Sequence, residues 1–129
     1  MQIGVDMDSL LLMFKALADK NRMRILAALL QHEELCGCQP TELLGVAGAT
    51  ASRHLAQLQS AGFIEGRKEG RWVFFKLSKT LPDKVPLAWL KEKLFESEMI
   101  AEDRELLCSI LLEDPEIICR RQRGEKRAG

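Results

Sequence analysis

The sequence predicts a mainly α-helical fold with one small β-hairpin, in the order of a winged helix-turn-helix. Up to Ser60 the apolar residues recur at helical spacing, and the pattern then switches to the short runs Phe63-Ile64-Glu65 and Trp72-Val73-Phe74-Phe75-Lys76-Leu77. A tight turn is also expected between two of the helices, where Gly45 and Gly48 interrupt the pattern. With 129 residues, 47% of them hydrophobic, the chain is read as one domain with one core.

Leu10, Leu11, Phe14, Leu17 and Ala18 share one face, so a first helix is expected from about Asp8 to Ala18, capped by Asp8 or Ser9. Asp19 caps a second, which runs through Met23, Ile25, Leu26, Leu29 and Leu30 to about Gln31. Pro40 suits the first turn of a third helix, because it lacks only an N–H that would be unpaired there; Cys36 to Cys38 should then lie just outside it. A fourth helix runs from about Ala49 to Ser60, with Leu55 and Leu58 inward and Gly62 beyond its end. Lys68-Glu69-Gly70-Arg71 joins the two strands, and Val73, Phe75 and Leu77 alternate toward one face. Residues from Leu87 to Phe95 and from Leu106 to Leu112 read as two more helices, the second ending near Pro115. Residues 1–112 thus form the winged-helix and dimerisation domain, and 113–129 a basic C-terminal tail. The apolar stripes on the first helix and the C-terminal helices exceed what so small a core needs, which points to a homodimer built on them.

Net charge is zero, yet the charges are unevenly placed. Between residues 49 and 80, Arg53, Arg67, Lys68, Arg71, Lys76 and Lys79 stand against only Glu65 and Glu69, whereas residues 81–119 carry ten acids against four bases. The basic stretch coincides with the fourth helix and the hairpin, which makes it the candidate phosphate-facing surface. On that helix Thr50, Ser52, Arg53, His54 and Gln57 supply the hydroxyl, guanidinium, imidazole and amide groups that reach base edges and phosphates in double-stranded DNA. Arg67, Lys68 and Arg71 on the hairpin would grip the flanking backbone; the plainer alternative is a solvated helix face and solubilising turn charges. No apolar run approaches the length needed to span a bilayer and Met1 to Asp6 lacks a leader-like stretch, so a cytoplasmic location is expected.

In a reducing compartment four cysteines point to metal binding, redox sensing or burial rather than disulfides. Cys36-Gly37-Cys38 stands immediately before the helix-turn-helix. On a regular helix residues i and i+2 are about 200° apart and could not share an ion, whereas in an extended segment they project to one side. Thiolates favour zinc, cadmium, copper(I), lead and trivalent arsenic or antimony over hard ions. Two rival readings stay open: small apolar fillers beside Leu35, and a thiol redox switch. Cys119, beside Arg120 and Arg121, is either a third ligand or an uninvolved tail cysteine; Cys108, inside an apolar run, reads as a buried core residue. His32 needs no metal to explain it. No phosphate loop, nucleotide motif or general-base constellation accompanies the cysteines, so the chain reads as a sensor rather than an enzyme.

Several segments together closely resemble the ArsR/SmtB family of winged-helix repressors. They are Phe14 to Leu26, Glu34-Leu35-Cys36-Gly37-Cys38, Ser52 to Leu58, Gly62-Phe63-Ile64 and Arg67 to Val73, and the resemblance covers about residues 10–112. It implies a homodimer that binds an inverted-repeat operator when ligand-free, represses a resistance operon, and leaves the DNA when a toxic metalloid or metal binds. It requires no resident cofactor. The Glu-Leu-Cys-x-Cys form is similar to the arsenic and antimony branch, a form shared with cadmium and lead sensors, and it implies Cys36 and Cys38 as ligands of As(III) or Sb(III). In that branch a third cysteine follows three residues after the second, where this chain has Thr41. The third donor is left among Cys119, Cys108, an external thiol, or none if the inducer is methylarsenite. Cadmium sensors draw further cysteines from an N-terminal arm and zinc sensors use histidines on the C-terminal helix; neither set is present here.

Overall fold

A computed structural model describes residues 6–128. Met1 to Val5, part of the stretch read above for a leader, and Gly129 lie outside the described residues. The elements run α1 (Met7–Leu17), α2 (Lys20–Gln31), β1 (Leu35–Cys36), α3 (Cys38–Leu44), α4 (Gly48–Ser60), β2 (Ile64–Glu69), β3 (Trp72–Leu77), α5 (Leu81–Lys84), α6 (Leu87–Phe95), α7 (Glu98–Leu111) and α8 (Pro115–Ala128). The winged helix-turn-helix order predicted from the sequence is therefore present.

The helix starts follow local chemistry. Asp6, rather than Asp8 or Ser9, caps α1 by accepting the Ser9 N–H at 2.7 Å; Asp19 caps α2 by accepting that of Arg22 at 3.0 Å. Helix α4 ends in a Schellman motif, in which the Phe63 N–H reaches Leu58 O at 3.0 Å and the Gly62 N–H reaches Gln59 O at 2.9 Å. Gly62 has φ of 80°, a left-handed conformation that selects glycine.

Strand order in the sheet is β1-β3-β2, antiparallel throughout. Ile64 pairs with Leu77 and Glu69 with Trp72, leaving Gly70 and Arg71 as a two-residue loop. Gly70 has φ of 62° and no other residue type among those described has positive φ, the pattern of a type II′ turn that suits the twist of a hairpin. β1 was not expected: Leu35 pairs with Phe75 and Cys36 with Phe74, which fastens the cysteine segment to the base of the wing.

Helix α2 is central and packs against α3, α4, α6, α7 and β3. Ile25, Leu26, Leu58, Phe63, Leu107 and Ile118 are fully buried in one cluster, each contributing about 1.5–3 kcal/mol of transfer free energy. Arg24 fixes α7 on α2 through a two-pronged pair with the buried Asp103, at 2.8 and 3.0 Å.

Three expectations change at the C-terminal end. The helix expected over 106–112 begins at Glu98, where Ser97 caps it. Residues 113–129, expected as a basic tail, contain α8, which starts at Pro115 and packs on α3 by burying Ile118. Cys108 is exposed rather than buried, because Asp103, Leu107 and Ile110 form the inward face of α7 and Cys108 lies one position round from it. Met7, Leu10, Leu11, Leu12 and Phe14 of α1 remain exposed, as do Leu106 and Leu112.

Candidate thiol site and nucleic-acid face

Cys36 closes the short strand β1 and Cys38 opens α3, so the helix begins two residues earlier than Pro40 suggests. Side chains hold this strand-to-helix corner. Gln39 Oε1 accepts the Cys36 N–H at 2.8 Å, the Thr41 hydroxyl donates to Gly37 O at 2.9 Å, and the Gly37 N–H donates to Val73 O at 2.9 Å. A Cβ on Gly37 would press on Phe75 at 3.3 Å. The corner turns the two thiols together, with Sγ atoms 3.7 Å apart.

Helix α8 brings the third sulfur. Ile118 drops into the core, and Cys119, next on the helix, faces the corner, so that the Sγ atoms of Cys36, Cys38 and Cys119 all lie within 4.8 Å of one another. A sulfur–metal bond of about 2.3 Å places tetrahedral sulfurs roughly 3.8 Å apart, so a shift of about 1 Å in α8 would close the set around one ion. Among the described residues no histidine or carboxylate joins the cluster. Gln122 Nε2 donates to Cys38 O at 3.0 Å and to Glu42 at 3.1 Å and Arg121 reaches Glu42 at 3.1 Å, which fastens α8 to α3; Arg121 also meets Glu113, just ahead of α8, at 3.0 Å.

Burial pushes the Cys38 thiol well above its ordinary value, and hydrogen bonding with Cys119 and the nearness of Cys36 push it further. Its proton is therefore retained at neutral pH. Thr41, where the resemblance would have put a third cysteine, is buried and spends its hydroxyl on the corner. A cleft of about 670 Å³ opens beside the sulfurs, lined by Cys36, Cys119, Ser52, Arg71, Trp72 and Gln122.

On α4, Ser52, Arg53 and Gln57 are exposed and Thr50 is half-buried. His54 is turned inward instead, its side chain 13% exposed, with Nδ1 3.2 Å from Arg22 Nη1 and 3.9 Å from Asp19. Arg22 also donates to Gln57 Oε1 and to the carbonyls of Lys15 and Ala16, both at 2.8 Å, so one guanidinium joins the end of α1 to the face of α4. In the wing, Lys68 is exposed, Arg67 lies over the Phe74 ring at 4.7 Å, and Arg71 lies over Trp72 at 5.5 Å. Both arginines meet acids: Arg67 pairs with Glu34 at 2.8 Å and with Glu69, and Arg71 with Glu116.

The profile of the family described as "Bacterial regulatory protein, arsR family" matches residues 19–65, the stretch from the cap of α2 through the start of β2. HlyU of Vibrio cholerae N16961 is similar at 30% identity over 70% of this chain and 95% of its own, with a TM-score of 0.58. The chain belongs to the ArsR family. A solution structure of the homodimeric winged helix-turn-helix DNA-binding domain Mb0332 from Mycobacterium bovis is similar at 28% identity over 74% of this chain and 91% of that one, with a TM-score of 0.58.

Among curated relatives, the arsenic resistance transcriptional regulator ArsR1 of Pseudomonas putida is 39% identical over 57% of this chain and 58% of its own length. The cadmium resistance transcriptional regulatory protein CadC of Listeria innocua is 37% identical over 48% of this chain and 52% of its own length. The ArsR-family chain thus spans little more than half the length of these relatives, one named for arsenic resistance and the other for cadmium resistance. Among the described residues no helix is long and apolar enough to cross a membrane.

Gln39, Gln122, Arg22, Glu34 and Glu116 were not anticipated from the sequence. Gln122 alone left a local signal, since it lies three residues after Cys119 and four after Ile118 on the same helical face.

Proposed function

We propose that this ArsR-family chain is a metalloid-responsive repressor. As a homodimer it binds operator DNA through α4 and the wing, and As(III) or Sb(III) captured by Cys36, Cys38 and Cys119 releases it. The exposed apolar faces of α1 and α7 supply the dimer surface, and a two-fold pair of α4 helices suits a two-fold operator. Support for the sensing role comes from the convergence of three sulfurs within 4.8 Å on segments hydrogen-bonded to both the wing and α3. A hundredfold weakening of operator binding requires about 2.7 kcal/mol of coupling, and by reciprocity DNA must weaken metalloid binding equally.

The protonated state of Cys38 favours a metalloid over a divalent cation. Cadmium or lead must displace thiol protons into solvent, so a raised thiol pKa opposes binding. Arsenite arrives as As(OH)₃: three thiols and one As(OH)₃ give the trithiolate and three waters, with no net proton released. Three sulfurs that meet without a fourth donor among the described residues also match a pyramidal ion better than a tetrahedral one.

The test uses a fluorescein-labelled duplex that the protein itself selects from a random-sequence library, read by anisotropy under reducing conditions. Arsenite and antimonite should release it with midpoints nearly constant from pH 6 to 8, whereas cadmium and lead midpoints should fall as pH rises. A steep pH dependence for arsenite, or release by peroxide with indifference to arsenite, would replace this reading with a divalent-cation or a redox sensor.

A further inference from the structure

The wing arginines expected to grip DNA are engaged by acids, and apart from Glu69, which meets Arg67 within the wing itself, those acids sit on the segments that carry the sulfurs. Glu34 lies two residues before Cys36 and takes Arg67 through both carboxylate oxygens, at 2.8 and 3.3 Å. Glu116 lies three residues before Cys119, almost one turn along α8, and takes Arg71. Each sulfur-bearing segment therefore has its own wing arginine. Between them the Gly37 N–H and the Cys36–Phe74 pairing tie the corner to β3.

We propose that Glu34 and Glu116 are coupling residues that occupy Arg67 and Arg71 in place of DNA phosphates, and that filling the thiol cluster decides the competition. This rests on the metalloid-sensing reading above. A carboxylate and a phosphate oxygen offer a guanidinium the same two-pronged acceptor, so they compete for one site. Exposed ion pairs of this kind are weak by themselves, because water and salt screen them and side-chain freedom is lost in forming them. DNA, with its dense line of phosphates, displaces a carboxylate that is free to move. It does so less readily when the carboxylate is pinned, because the pair then re-forms within one rigid body at high effective concentration.

An ion bridging Cys36, Cys38 and Cys119 supplies that pin, since it joins α8 to the β1–α3 corner and so fixes both carboxylates around the wing. Without it, the tip of α8 that carries Glu116 is held by Ile118, by the Gln122 and Arg121 contacts and by the Cys38 thiol, which donates to Pro115 O at 3.4 Å. The output of the site is thus the wing as well as the reading helix. Glu116 also pairs with Arg120 at 3.1 Å, one turn further along α8, so its carboxylate is shared between the helix flank and the wing.

The experiment compares the full-length protein with Glu34→Gln, Glu116→Gln and the double variant, using the self-selected duplex. Arsenite binding is followed separately through sulfur–arsenic absorbance, and folding through circular dichroism. In the double variant arsenite should bind with unchanged stoichiometry and with affinity within about twofold of wild type. Its arsenite-loaded form should hold the duplex at least about tenfold more tightly than loaded wild type, with a salt slope steeper by about 0.9 for each arginine returned to a phosphate. Normal arsenite binding with release as complete as wild type would overturn the wiring while leaving the sensor intact. If arsenite fails to release the wild-type protein, the functional reading falls first and this proposal with it.

Discussion

Cys36 and Cys38 sit on a corner held by backbone pairing to the wing as well as by side chains, whereas Cys119 sits on a helix fastened by side chains. The corner carries a strand pairing to β3, a Gly37–Val73 hydrogen bond and a buried threonine hydroxyl. Helix α8 carries one fully buried anchor, Ile118, and a fringe of amide and guanidinium contacts. The difference separates a fixed half of the site from an adjustable one. A site assembled this way can hold two sulfurs ready and recruit the third, so that capture of an ion is converted into movement of one helix rather than unfolding of the core.

The largest expected effect comes from breaking the fixed half. Cys38→Ser should lower arsenite sensitivity, read by release of the duplex, by more than about a hundredfold, beyond the 10–100-fold usual for supporting groups. Cys119→Ser should cost visibly less; equal losses would mean that the two halves are not distinct. Next comes Ile118→Ala, which removes the anchor of α8 at about 2–4 kcal/mol. If α8 docks as a separable unit, the cost appears as faster amide exchange across residues 115–124 and weaker arsenite binding, with the main thermal transition little changed. A matching fall in the main transition would place α8 in the cooperative core instead.

Gln122→Ala should be milder, at about 1 kcal/mol, or roughly fivefold in arsenite affinity by absorbance titration. The smallest effect concerns pH. The folded Cys38 thiol titrates above its unfolded counterpart, so the stability this confers is complete below the ordinary thiol value of 9.0 and drains away as pH rises past it. Melting temperature of the ion-free protein should therefore decline above about pH 9, and Cys38→Ser should flatten that decline.

The same two halves differ in how well the sequence announces them. The corner is legible because its chemistry is contiguous: Cys36-Gly37-Cys38 is one tripeptide, and the helix-turn-helix behind it has the expected turn glycine and inward leucines. Helix α8 is hard to read from the sequence because Pro115 suits equally the end of one helix or the start of another. Asp114 accepts the Glu116 N–H at 2.9 Å and Pro115 occupies the first helical position, so the local chemistry is that of a start. Its basic composition pointed to a tail instead. Exposure of Cys108 was recoverable from helical phase, whereas the inward turn of His54 was not, since it depends on Arg22, distant in sequence. Glu34 and Glu116 fall in the same category: their partners are 33 and 45 residues away.

Arg22 links two surfaces that a dimeric reader would need to keep in register. Its guanidinium spends separate donors on the carbonyls at the end of α1 and on the side chains of His54 and Gln57 on α4. It works as a spacer of fixed gauge: in a dimer built on α1, the distance between the two reading helices is transmitted through this planar fork. A lysine in its place would keep the charge but have too few donors in the wrong directions, so Arg22→Lys would loosen the tolerance of half-site spacing rather than abolish the grip on any one half-site.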